Sequence, residues 1–191
     1  MIDIDLSKDS SDLRKLRRQA RSNIKFEVIV EALKVYYNHR DKWDPIFYSA
    51  ALKSREWENI GAGLYKECFA KGSIVVKFPR GSYYAEYADE RRKELAREYD
   101  QWFNPPSPEF RKYLPRSYAL IDETILIQDR VLGKCVREFN IDRGYETCNQ
   151  ISKVEALAAT YMLQDYYQNH GHTLKGNIKF FDSVWGRWRD I

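Results

Sequence analysis

The feature that most constrains the fold is the stretch WENIGAGLYKECFAKGSIVVKF, which covers residues 57–78. It holds three short runs of strand-forming residues, separated by glycines at 61–63 and by a tight turn at 71–72. This spacing predicts three consecutive antiparallel strands. The apolar run of the third strand, 74–76, ends on a single lysine, Lys77, where a strand is expected to be buried. A buried ammonium group requires a partner of opposite charge, so its partners indicate its function.

The sequence after residue 78 alternates between helical and strand patterns. Residues 85–103 place apolar side chains on one side of a helix and charges elsewhere, and the prolines that follow end it. Residues 116–133 predict two strands around a turn at 122–123. Residues 152–168 predict a second helix, before a polar loop at 170–177 and two short strands. Together with the three-stranded stretch, this order predicts an α+β fold.

The first fifty-five residues have a different pattern, which is entirely helical. Ser10, Ser11 and Asp12 are suitable N-caps for a strongly basic helix. From Ile24 onward, apolar residues recur at helical spacing, and Pro45 suits the first turn of another short helix. We therefore predict a helical N-terminal extension over 1–55 and a second domain over 56–191.

Composition excludes several classes of protein. The net charge of +4 is spread over mixed acidic and basic residues, so it does not indicate a nucleic-acid partner. Three scattered cysteines, Cys68, Cys135 and Cys148, fit reduced thiols of the cytoplasm better than a disulfide framework or a zinc site. No apolar run is long enough to span a bilayer, and the acidic start lacks the basic region of a signal peptide.

The order of these elements and motifs from Trp57 to Ile191 resembles the protein kinase-like fold. The chain resembles small bacterial and phage members of that superfamily, the YrbL-like proteins and the early protein kinase of podophages. The resemblance implies a kinase-like N-lobe, made of an antiparallel sheet and one helix. It also implies a minimal helical C-lobe, with the N-terminal extension added to both.

The resemblance assigns nucleotide-binding roles within the N-lobe. Gly61 and Gly63 correspond to the glycine-rich loop over the phosphates of ATP. Lys77 corresponds to the strand lysine that contacts the α- and β-phosphates. The family also requires a helix carboxylate that orients this lysine. Glu98 is favoured for it because of its spacing to the following aromatic residues, and Glu94, one turn earlier, is the alternative.

The same resemblance places the adenine contacts after the fifth strand. Gln128 occupies the gatekeeper position, and the backbone atoms of Asp129 and Val131 are expected to meet the adenine edge. This prediction is positional, because backbone recognition leaves little trace in a sequence.

The segment HGHTLKGN at 170–177 aligns with the catalytic loop of the family. His172 takes the place of the catalytic base, and Asn177 the place of the loop asparagine that binds magnesium. Asp190 follows Asn177 at the spacing of the second metal-binding aspartate. ATP and Mg²⁺ are therefore the cofactors that the resemblance implies.

Several positions depart from the family pattern. Lys66 stands where a third glycine is usual, Gly171 replaces the loop arginine, and His172 replaces the aspartate that accepts the substrate proton. Asp190 is the second-last residue, so the sequence predicts a truncated domain without the activation segment. These departures predict a catalytically impaired pseudokinase.

Three functions remain as hypotheses. The first is a regulatory pseudokinase that binds a protein partner, with or without nucleotide. The second is an active atypical Ser/Thr-type protein kinase. The third is a helical interaction protein on a kinase-derived scaffold, supported by the basic segment 13–25. The apolar faces of the extension and of the helix 152–168 also predict that the extension packs on the domain, or that two chains form a homodimer.

Overall fold

The chain divides into two compact units, residues 1–99 with 116–130, and residues 100–115 with 131–191. We obtained its structure as a computed structural model. The structure describes residues 11–39, 44–62, 66–80, 88–105, 107–132, 156–157, 160, 170–172 and 178–180.

Three helices begin the first unit. They are α1 (Ser11–Ala20), α2 (Asn23–His39) and α3 (Pro45–Lys53). The start of α3 follows directly from its sequence, because the side chain of Asp44 accepts a 2.7 Å hydrogen bond from the Ile46 N–H. A proline at the first helical position needs no N–H partner. The helical pattern of the extension is therefore present from residue 11 onward.

A five-stranded antiparallel sheet follows in the same unit. Its strands are β1 (Glu58–Ala62), β2 (Lys66–Lys71), β3 (Ile74–Pro79), β4 (Ser117–Ile121) and β5 (Ile125–Asp129). Their order in the sheet is β1-β2-β3-β5-β4. The helix α4 (Ala88–Phe103) lies between β3 and β4 in the chain. These elements have the α+β architecture of a kinase-like N-lobe, as the sequence predicts.

Two predicted turns set the register of the sheet. Gly72 joins β2 to β3 with a φ of +57°, a left-handed conformation that glycine adopts without steric cost. Asp122 and Glu123 join β4 to β5 with φ values of +49° and +52°. The Tyr36 hydroxyl of α2 donates a 2.8 Å hydrogen bond to the Asp122 carboxylate, so the extension supports this turn directly.

The three N-terminal helices and one face of the sheet form a single hydrophobic core. The ring of Tyr48 in α3 meets the ring of Phe78 in β3 edge-on, with centroids 4.9 Å apart. The extension therefore packs on the sheet, the first of the two arrangements that the sequence predicts. The boundary predicted at residue 55 falls between α3 and β1. The other fully buried contributors to this core include Ile29, Leu33, Leu52, Phe69, Val76, Ile125 and Ile127.

The second unit contains a 3₁₀ helix (Pro108–Tyr113) and a two-stranded ladder of β6 (His170–His172) with β7 (Ile178–Phe180). Phe110 stacks on Phe180 with ring centroids 5.9 Å apart, and Leu157 packs against this small cluster. Residues 156–157 and 160 are helical, within the predicted second helix.

One prediction for this unit is wrong. The sequence predicts a polar loop over 170–177, but 170–172 form a strand whose residues pair with β7 from His170–Phe180 to His172–Ile178. A His-Gly-His sequence has no strand pattern of its own, so its extended backbone follows from the pairing with β7 and not from local propensity. Among the residues that the structure describes, no helix combines the length and apolarity needed to cross a membrane.

Candidate functional site

The candidate site lies on the sheet face opposite the N-terminal helices. Side chains of paired residues in neighbouring strands share a face, and the pairs Lys77–Cys68 and Lys77–Leu126 place these three side chains together. Val75 and Gln128 form the next pair on the same face. Val76 and Phe78 point the other way, into the core with the helices. Successive side chains of a strand point to opposite faces of the sheet, so Lys77 lies on the face opposite to Val76 and Phe78.

Lys77 is buried, and its ammonium group donates a hydrogen bond to the Oε1 atom of Glu98 in α4. The predicted ion pair is therefore confirmed, with Glu98 as the partner. Glu94 is instead half-buried and lies 3.6 Å from Arg97, one turn away on its own helix. Leu95, fully buried, is three residues from Glu98 and marks the buried side of α4.

A second lysine reaches the same carboxylate, and the sequence prediction missed it. The Nζ atom of Lys66 lies 2.9 Å from Glu98 Oε2, so each oxygen of Glu98 accepts from a different lysine. Lys66 pairs with Pro79 and is two residues from Cys68, which places it on the same face as Lys77. Sequence reasoning noted Lys66 only as a missing glycine. The two-residue turn at Gly72 sets the register of β2 against β3. That register was the signal that could have placed Lys66 on the same face as Lys77.

All three charged side chains are withdrawn from solvent. The exposed fraction of the side chain is 12% for Lys66, 7% for Lys77 and 2% for Glu98. Hydrogen bonds between ionised groups are stronger than neutral ones, and water screens them little when they are buried. The cluster therefore holds two positive groups in fixed positions beside the start of β2.

The glycine-rich segment precedes Lys66 at the edge of the sheet. The pairing of β1 with β2 shifts by one residue between Asn59 and Gly61, and the Gly61 N–H bonds to the Asn59 side chain at 3.0 Å. Such irregularities often stand next to functional sites. A Cβ atom built on Gly61 would meet no described atom within 4 Å. Gly63 lies outside the described residues, so the phosphate role of both glycines stays a prediction.

The predicted hinge is tied to the N-terminal extension. The Asp129 carboxylate accepts hydrogen bonds of 2.7 Å from Lys25 of α2 and of 2.7 Å from the Tyr118 hydroxyl. Burial and this hydrogen bond raise the pKa of the Tyr118 hydroxyl, which therefore remains a donor. The Asp129 N–H donates to the Arg116 carbonyl at 2.9 Å, so an adenine contact from its backbone would use its carbonyl. Val131 is half-buried just beyond β5.

Gln128, at the predicted gatekeeper position, is almost fully buried. Its Nε2 atom donates a 2.9 Å hydrogen bond to the Ser117 hydroxyl, whereas its Oε1 atom has no partner among the described residues. A buried acceptor without a partner costs free energy, so this amide lowers the stability of a strand whose neighbouring residues are apolar.

This arrangement predicts a non-additive pair of substitutions. Ser117→Ala should lower the free energy of unfolding by about 1–3 kcal/mol, because it leaves the Gln128 amide buried without its described partner. The double variant Ser117→Ala/Gln128→Leu should be close to wild type, since both polar groups are then gone. Urea unfolding of both variants measures the difference. A double variant less stable than Ser117→Ala would contradict this account.

The residues predicted for the catalytic loop lie in the second unit. His172 is the last residue of β6 and pairs with Ile178, which directly follows Asn177 in the sequence. Asn177 and Asp190 lie outside the described residues, so their role as ligands of Mg²⁺ stays a prediction. Among the described residues, no group of three or more His, Cys, Asp or Glu side chains could hold a metal ion.

No protein-family model matches the chain, and no curated protein matches it. Three solved structures of WbdD are similar to it. They are the low-resolution structure with an ordered C-terminal bundle (TM-score 0.48, 19% identity), the high-resolution crystal structure (0.46, 19%) and the complex with the kinase inhibitor LY294002 (0.44, 18%). The matched region covers 68–70% of this chain and 30–33% of the WbdD chain. The chain therefore spans about a third of the length of the proteins in these structures.

Proposed function

We propose that this protein is a kinase-like regulator that binds a nucleotide beside Lys77, transfers phosphate poorly or not at all, and acts through a protein partner in the cytoplasm. The observation that carries the nucleotide part is the buried Lys77–Glu98 ion pair. A lysine on the third strand, held by a carboxylate of the following helix, is the arrangement that kinases require for phosphate binding.

The impaired chemistry rests on His172. A kinase orients the substrate hydroxyl with an aspartate at this position, which accepts the proton. A histidine is longer, and its charge changes near neutral pH, so it does not supply the same fixed negative charge. ATP would supply the transferable phosphoryl group when bound, and Lys77, held in place by Glu98, would contact its phosphates. The relation to the YrbL-like proteins and to the podophage kinase belongs to this proposal and stays a prediction.

The experiment combines ATP binding with phosphoryl transfer. ATP at a hundred times its dissociation constant stabilises a protein by about 2.7 kcal/mol, which raises the melting temperature of a chain of this size by roughly 5–10 °C. We expect such a rise for wild type, none for Lys77→Met, and no transfer of the γ-phosphate to the protein itself or to generic substrates. Mg²⁺ is varied in both assays.

A matched control is available on the neighbouring strand. Lys71 of β2 forms its ion pair at 3.0 Å with Glu31 of α2, on the helix-covered side of the sheet. Lys71→Met should therefore keep the full response to ATP. Absence of any ATP response in wild type would reject the nucleotide part of the proposal. Efficient transfer that disappears in Lys77→Met would instead establish the active atypical kinase.

A second function, a helical interaction protein, is favoured by one observation. Five basic residues of the α1 region are exposed, with only Asp12 as an acidic neighbour within α1: Arg14, Lys15, Arg17, Arg18 and Arg21. Such a concentrated positive surface attracts acidic protein surfaces at low ionic strength. In this alternative, the partner binds the extension, and substitutions at Lys77 leave the interaction unchanged.

A further inference from the structure

The last residue of β5, Asp129, is bonded to the N-terminal extension through its side chain. Its Oδ1 atom lies 2.7 Å from the Nζ atom of Lys25, near the start of α2, and accepts a second 2.7 Å hydrogen bond from the Tyr118 hydroxyl. The same ammonium group lies 3.5 Å from the Tyr118 oxygen. One carboxylate oxygen therefore joins a helix of the extension to two neighbouring strands of the sheet.

A second hydrogen bond from the extension reaches Arg116, the residue before β4. The Arg116 carbonyl accepts from the Asp129 N–H at 2.9 Å, and the Arg116 guanidinium donates at 2.9 Å to the Gln19 carbonyl of α1. Directly after Asp129, the Arg130 N–H donates to the Ser73 carbonyl at 2.8 Å. The backbone at the end of β5 is thus fixed on the sheet, and both α1 and α2 are bonded to the residues that fix it.

These polar contacts do more than hold the extension on the sheet. The apolar core already does that, for example where Tyr48 packs on Phe78. The side chains of Lys25 and Asp129 are 29% and 32% exposed, and ion pairs with such exposure contribute little to stability. Hydrogen bonds do, however, fix distances and angles, which apolar burial does not. They therefore determine how the end of β5 presents its backbone, including the Asp129 carbonyl expected at the adenine edge.

We propose that Lys25 of the N-terminal extension is a positioning residue for the base of the bound nucleotide. This inference rests on the proposed nucleotide binding and deepens it. Lys25 acts through the Asp129 carboxylate and keeps the backbone at the end of β5 in the conformation that binds the base. Affinity falls with the fraction of molecules in the binding conformation, so loss of this contact weakens every ligand that carries the base.

The test measures the ATP and adenosine affinities of the full chain by titration calorimetry. Lys25→Met keeps the apolar stem and removes the donor, so both ligands should bind roughly threefold to fivefold more weakly, as expected for loss of a partly exposed ion pair. The two losses should be equal, because both ligands carry the same base. Lys25→Arg keeps the charge and should bind as wild type does. Lys34→Met removes an exposed lysine of the same helix and should also leave both affinities unchanged.

Hydrogen exchange separates positioning from a general loss of stability. In Lys25→Met the Asp129 amide should exchange faster, since its surroundings open locally, whereas the Val76 amide in the middle of β3 should keep its wild-type rate. Tyr118→Phe provides a second variant, because it removes the other donor to the Asp129 carboxylate and keeps the ring. It should weaken ATP and adenosine equally and speed up exchange at Asp129, also if Lys25→Met does not fold.

The remaining outcomes contradict the proposal in different ways. Unchanged affinities in both variants would overturn the role of Lys25 while nucleotide binding stands. Faster exchange at Val76 as well as at Asp129 would make Lys25 a structural residue of the whole sheet. A loss for ATP without a loss for adenosine would place the effect at the phosphates and overturn positioning of the base. If wild type binds neither ligand, both proposals fall.

Discussion

Replacing Glu98 with alanine should lower the free energy of unfolding by about 3–5 kcal/mol, the usual cost of breaking a buried ion pair from one side. The substitution leaves the ammonium groups of Lys66 and Lys77 buried without the carboxylate that both contact. For a chain of this size, each kcal/mol lowers the melting temperature by about 2–4 °C. Thermal and urea unfolding of the variant, compared with wild type, measure the loss.

The control is Glu94→Ala, one helical turn away. Glu94 is half-buried and forms an i,i+3 pair with Arg97, a kind of pair that contributes little. Its loss should change the free energy of unfolding by no more than about 0.5 kcal/mol. The triple variant Lys66→Met/Lys77→Met/Glu98→Leu should regain much of the stability lost in Glu98→Ala, because apolar residues can replace a buried ionic cluster. A Glu98→Ala protein as stable as Glu94→Ala would contradict the buried cluster.

The sequence predicted the Lys77–Glu98 pair because each residue carries a local signal. Lys77 ends an apolar strand, and Glu98 stands at a fixed spacing before Trp102 on an amphipathic helix. Lys66 carries no such signal, since its position becomes meaningful only when the register of β2 against β3 is known. Register depends on the turn at Gly72, and a shift of one residue would turn Lys66 to the other face of the sheet.

The fold shows the same division between local and distant information. The prediction for α2 named six apolar residues, and the structure buries five of them and half-buries Val28, because helical periodicity is a local property. The five buried residues are Ile29, Ala32, Leu33, Val35 and Tyr36. The strand at 170–172 was missed because its three residues pair with residues 178–180 of another strand, and its own sequence carries no strand pattern. Likewise, no local pattern could indicate that Lys25 of the extension would form an ion pair with Asp129 of the hinge, 104 residues later.

The extension should be indispensable for the stability of the sheet. Deleting residues 1–55 would remove α1–α3 and expose the sheet side chains that they cover, among them Phe69, Val76, Phe78 and Ile127. Each such side chain contributes roughly 1.5–3 kcal/mol when it is fully buried, and a whole domain is stable by only about 5–15 kcal/mol. The remainder should therefore aggregate or lose its cooperative unfolding transition, as measured by gel filtration and calorimetry.

Point substitutions test the contribution of the helices to stability without removing them. Leu33 is fully buried in α2, so Leu33→Ala should lower the free energy of unfolding by about 2–5 kcal/mol. Ile24, near the start of the same helix, is 75% exposed, so Ile24→Ala should change stability by less than about 0.5 kcal/mol. A shortened protein that is soluble, monomeric and as stable as the full chain would show that the extension is an independent arm. In that case the helices would not serve to stabilise the sheet. The proposed interaction with a protein partner would then be assigned to the basic surface of α1.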